Sequence, residues 1–140
     1  MTVFVFEKLM AYQKVKDFRA RMYKLSKILP AHEFKLRIQI CNAARSLTNN
    51  IAEGHGRYTY KERIRFCHDA RGSLQELIDD VSIFEQEAYA RMDHLETLRV
   101  DADKVLKLIN GYICYLQECA ADQQAQKLAK KKYKPPPQLT

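Results

Sequence analysis

Glycine and proline are scarce in this chain, four of each in 140 residues. Long irregular segments are therefore not expected, and the few breakers that exist carry weight. No apolar run reaches the ~18 residues a membrane span needs. The opening Met-Thr-Val-Phe-Val-Phe-Glu-Lys has a four-residue apolar run and no leading cation, too little for a secretory signal, so a cytoplasmic protein without a membrane partner is expected. Paired cysteines are missing too. Cys41, Cys67, Cys114 and Cys119 form no CxxC and all fall inside helical patterns, where they read as small buried hydrophobes rather than zinc ligands. Leu29, Ala52, Arg65 and Arg91 stand three residues before the four histidines, so the Glu-x-x-His pairs of a di-iron bundle are absent. No Gly-x-x-x-x-Gly-Lys-Ser/Thr loop is present. Asp79-Asp80 reads as one solvated carboxylate and one intersubunit ion-pair partner. The expectation is a non-enzymatic protein with no metal and no cofactor.

What the sequence has is helical periodicity. With 46% apolar and 29% charged residues it has material for one core and one domain. A first helix is predicted from Glu7 to Leu29, on Val15, Phe18, Met22, Leu25 and Leu29, stopped by Pro30. A second runs from Glu33 to Glu53 on Leu36, Ile40, Ala43, Leu47 and Ile51. Gly54 follows as a left-handed closing residue. Thr59-Tyr60-Lys61-Glu62 has capping-box spacing and opens a third helix on Cys67, Ala70, Leu74, Leu77, Val81, Phe84 and Ala88. Asp93-His94-Leu95-Glu96 opens a fourth on Leu98, Ala102, Val105, Ile109, Tyr112, Leu116 and Cys119. Gly72 and Gly111 interrupt the last two and suggest close backbone approach. Four such segments joined by short loops predict an all-α, antiparallel up-down four-helix bundle over residues 1–126. Residues 127–140, with five lysines and three prolines, are expected to be a disordered basic tail.

Charge is divided along the chain. Residues 1–71 hold 15 Lys/Arg against 6 Asp/Glu, residues 72–126 hold 4 against 11, and the total is +7. Such asymmetry suggests a polyanion partner, self-association of unlike surfaces, or both. On the first helix Tyr12, Lys16, Arg19, Tyr23 and Lys27 share a side away from the core stripe. Arg57 leads into Lys61 and Arg65 of the third, near Tyr58 and His68, and Lys130, Lys131 and Lys132 lie in the tail with Lys127 and Lys134. Lysine and arginine neutralise phosphates while tyrosines offer stacking surfaces for unpaired bases, so these are the candidate nucleic-acid contacts. A solvated basic face and a solubility tail are the plainer readings of the same residues. The second helix sets Asn42, Ser46, Asn49 and Glu53 opposite its core stripe, with Asn50 between, and Ile38, Cys41, Thr48 and Ala52 on a further side. A face this poor in Lys and Glu suggests cover by another copy of the chain.

The run Ser46-Leu47-Thr48-Asn49-Asn50-Ile51-Ala52-Glu53-Gly54-His55-Gly56-Arg57 resembles the signature of the bacterial four-helix-bundle family of ribosomal RNA intervening-sequence proteins, Ser-Ile-x-x-Asn-Ile-Ala-Glu-Gly-x-Gly-Arg. Phe6-Glu7-Lys8-Leu9, Tyr12-Gln13-Lys14, Arg65-Phe66 and Ala70-Arg71-Gly72-Ser73-Leu74-Gln75-Glu76-Leu77 agree as well, and Glu87–Met92 departs from the commoner pattern. The resemblance implies a barrel-like homopentamer and an RNA-binding accessory of a ribonucleoprotein. One related branch, the accessory variability determinants of diversity-generating retroelements, implies a reverse transcriptase as a further partner. The alternative is a protein-interaction hub that uses an acidic third-and-fourth-helix surface, Asp79, Asp80, Glu85, Glu87, Asp101 and Asp103, without touching nucleic acid.

Overall fold

The computed structural model describes residues 2, 3, 7 and 9–137, and all regular structure among them is helical. Helix α1 spans Met10–Lys27, α2 Phe34–His55, α3 Tyr60–Gln86 and α4 Met92–Lys132, with a 3₁₀ turn at Ala31–Glu33. Each helix packs on its neighbours in sequence and α1 closes against α4. The α2–α3 contact is the most extensive and α1–α4 the slightest. This is the predicted four-helix bundle. The stripes read from the sequence form one core, in which Phe18, Met22, Leu47, Leu74, Phe84, Leu98 and Ile109 are fully buried. Each such side chain stabilises the fold by about 1.5–3 kcal/mol. No helix among the described residues is long and apolar enough to cross a membrane.

The ends of the helices show how local chemistry sets them. Arg37 of α2 donates from Nε to Ser26 O (3.1 Å) and from Nη2 to Leu29 O (3.0 Å), supplying partners for carbonyls that the end of α1 leaves open. Half of the predicted capping box is present: Thr59 Oγ1 accepts from Glu62 N at 3.2 Å, but the Glu62 carboxylate accepts from the Thr59 hydroxyl at 3.1 Å rather than from its backbone N–H. Gly54 corrects the sequence reading. The helix continues through it to His55, Gly56 is the C-cap in the right-handed region, and no described glycine has positive φ. Gly54 is there for space, since a Cβ on it would sit 2.7 Å from Phe66 Cβ. Its bare backbone lets α2 and α3 approach.

Ala88 is also corrected. Rather than extending the core stripe of α3 it is exposed, with φ 56°. Ala88 N donates to Glu85 O (3.3 Å), and Tyr89 N reaches back to Phe84 O (3.0 Å). The Tyr89 ring meets Phe84 edge-on at 6.0 Å. These are the two bonds and the apolar contact of a Schellman ending, with alanine where glycine is usual. Helix α4 starts slightly earlier than Asp93, with Arg91 as its N-cap. It ends at Lys132, beyond the predicted boundary at Gln126, so Lys127–Lys132 are helical rather than irregular. Gly72 and Gly111 meet nothing within 4 Å, so neither marks close approach inside the protomer. Of the four cysteines only Cys67 is buried, and Cys114 is exposed, because it falls outside the arc that α4 turns to the core.

Candidate nucleic-acid interface

Helix α1 turns Tyr12, Lys16, Arg19, Tyr23 and Lys27 toward its border with α2. Lys16 and Lys27 are exposed, and Tyr12 and Tyr23 are half-buried against the core. Arg19 donates from Nη1 to Thr48 Oγ1 at 3.0 Å. That bond revises the reading of α2. Thr48 is fully buried by α1, and Cys41 Sγ lies 3.6 Å from Ser26 Oγ, so the side bearing Cys41 and Thr48 is covered within the protomer. The same border carries Arg37 and the exposed Arg45, which stand on α2 and share no single-helix stripe with the α1 cations. Lys16, Arg19, Lys27, Arg37 and Arg45 form no ion pair among the described residues. Arg19 and Arg37 are held by neutral oxygens, so their charge is fixed in place and uncompensated.

The second predicted group stands at the α2–α3 end. Arg57 Nη2 pairs with Glu53 Oε1 at 2.7 Å. The guanidinium groups of Arg57 and Arg65 lie 4.8 and 4.9 Å from the Phe66 ring centre, and Lys61 is exposed. Arg57 is thus partly a clamp on the helix junction. Since α1 and α3 are diagonal in the bundle, the two groups do not share a face of one protomer. Lys130, Lys131 and Lys132 are exposed on the last turn of α4, and every described residue from 121 onward is exposed. The overhang projects from the α2–α3 end, past His55 and Tyr112, whose Nδ1 and hydroxyl lie 3.4 Å apart.

On the α2–α3 side Asn42, Asn49 and Glu53 are exposed, while Ser46 and Asn50 are half-buried. Asn50 Nδ2 donates to Ser46 O at 2.9 Å, and Ser73 Oγ donates to Ser46 Oγ at 2.9 Å. Farther along, Asp80 is only 2% exposed and its Oδ2 has no hydrogen-bond partner among the described residues. Burial first, then the charges of Asp79 and Glu76, push its carboxyl up to about 6. Asp80 is therefore not part of an open acidic surface. Glu85 is gripped by Arg99 at 2.5 and 2.9 Å, which holds its pKa below the ordinary carboxylate value. Asp101 pairs with Arg21, and Asp103 with Lys107 at 2.8 Å. Four of the six acids expected on a partner-binding surface are thus buried or neutralised within the chain.

The chain matches the family described as 23S rRNA-intervening sequence protein over residues 7–111. Among solved structures it is similar to a crystal structure from Bacteroides thetaiotaomicron, a protein of unknown function from the S23 ribosomal protein family. The TM-score is 0.68 at 21% identity, covering 74% of this chain and 94% of that one, a likeness of fold alone. No curated protein matches. The match spans α1, α2, α3 and half of α4, and it includes the Asn49–Arg57 run that locks α2 onto α3. On that basis the chain belongs to the 23S rRNA-intervening sequence protein family.

Proposed function

We propose that this protein is a non-enzymatic, oligomeric RNA-binding scaffold, accessory to a ribonucleoprotein. The observation that carries the reading is the contrast between two surfaces. Cations along the α1–α2 border stand without carboxylate partners among the described residues, whereas on α3 and α4 Asp80 is buried and Glu85, Asp101 and Asp103 are paired internally. An uncompensated positive strip with interspersed tyrosines favours a polyphosphate backbone. The family's name, which ties it to intervening sequences of 23S rRNA, supports RNA as the polyanion.

Self-assembly is the second part of the reading. Phe34 and Ile38 on α2 are 54% and 57% exposed, on the helix that also exposes the amides Asn42 and Asn49. A second copy seated there supplies apolar cover and donors, and a ring of five repeats each modest phosphate contact. RNA retention measured against salt tests the binding. Neutralising Z phosphates gives a log–log slope near −0.7Z for single strands, and Lys16→Glu with Arg45→Glu should flatten it. A flat slope in the unaltered protein would sink the proposal. Sequencing RNA crosslinked to the protein separates an rRNA fragment from a retroelement transcript handled with a reverse transcriptase.

A further inference from the structure

At the α2–α3 end five side chains that no charge pattern singles out come together. The rings of Tyr112 and Tyr115, one turn apart on α4, lie nearly parallel, 16° between planes and 6.3 Å between centres. Tyr115 is 58% exposed. Arg63 of α3 lies over the Tyr60 ring at 5.5 Å, and its Nε donates to Arg57 O at 2.7 Å. No carboxylate pairs with it among the described residues. His55 approaches the Tyr112 hydroxyl, and burial and the Arg63 charge lower its pKa. Both effects disfavour an imidazolium beside Arg63.

We propose that this end binds one unpaired base of single-stranded RNA, the base stacking on Tyr115 and the adjoining phosphate meeting Arg63. The proposal rests on the RNA-binding reading above and goes beyond it. On the strip of α1 and α2 the tyrosines Tyr12 and Tyr23 are half-buried against the core and fixed charge predominates, whereas an exposed aromatic face beside a fixed guanidinium suits a base. Arg63 repels cationic ligands that aromatic groups otherwise attract. A peptide carboxylate would satisfy Arg63 but leave the ring idle. A planar base joined to a phosphate engages both.

The test uses the full chain, which has no tryptophan, so its intrinsic fluorescence reports tyrosine directly. Binding of a labelled decauridylate is compared with that of an abasic chain of the same length. The base-bearing strand should bind about tenfold more tightly and quench tyrosine emission. Tyr115→Ala should abolish that preference and leave the salt slope unchanged, while Tyr115→Phe should keep it. Should Tyr115→Ala lower the melting temperature, Tyr115→Leu restores apolar bulk without a stacking face and must still lose the preference. Equal binding of the two strands, or an undiminished preference in both variants, overturns the base site while RNA retention stands. Failure of the unaltered protein to retain either strand at ~50 mM salt overturns the RNA reading and this one together.

Discussion

Ala88 occupies a conformation that costs an L-residue about 1–2 kcal/mol and glycine far less. Both hydrogen bonds and the Phe84–Tyr89 contact of the helix ending survive removal of its methyl group. Ala88→Gly should therefore stabilise the protomer by about 0.5–1 kcal/mol, read as a higher urea midpoint with unchanged slope. Asp80 sets the pH response. Its folded pKa of about 6 lies above the ordinary aspartate value of 3.8, so the folded state binds its proton more tightly than the unfolded chain does. Its contribution to stability is then largest below the unfolded pKa and is lost as pH rises through about 4 to 6. Asp80→Asn should remove that loss, gaining about 1–3 kcal/mol at pH 8 and little at pH 4. Melting temperatures at the two values check it. Neither residue was legible in the sequence, because Ala88 continues a heptad and Asp80 sits in an acidic doublet that reads as one solvated carboxylate and one intersubunit ion-pair partner. Only the end of α3 and the packing of α2 give them their roles.

The helices themselves were legible because their stripes are long and uninterrupted, and the Thr59 N-cap was readable because its signal is local. Boundaries depending on tertiary contact were not. Gly54 has the composition of a helix stop, yet its function is to admit Phe66. Gly54→Ala should accordingly destabilise by about 1–3 kcal/mol through overpacking, despite the ~1 kcal/mol that alanine gains in helix propensity. Gly72, open to solvent on α3, should show the opposite sign, gaining up to ~1 kcal/mol on change to alanine. Parallel denaturation curves of the two variants decide whether packing or propensity rules at each. Arg63 and Tyr115 escaped the sequence reading, and Tyr112 was placed only on the core stripe, for a related reason. They lie on two helices more than forty positions apart, and no periodicity joins them.

Across the whole molecule the linear charge asymmetry becomes a spatial one. The first half's surplus collects along α1 and α2, and three of the second half's eleven acids, Asp101, Glu85 and Asp103, are paired with Arg21, Arg99 and Lys107. The α2–α3 side then presents apolar Phe34 and Ile38 together with the amides Asn42 and Asn49. Sedimentation should find a particle of about five times the 16.4 kDa chain mass, and Asn49→Arg should split it by placing a charge at the centre of that side. Persistence of single chains at micromolar loading would remove the ring.

Finally, α4 runs on as an uncompanioned rod for the dozen residues between Ala120 and Lys132, about 18 Å at helical rise. The cations at its tip are thereby carried on a lever with a heading rather than on a string. Whatever they touch is met in one direction from the bundle, and shortening the rod by a turn would rotate that heading as well as draw it in.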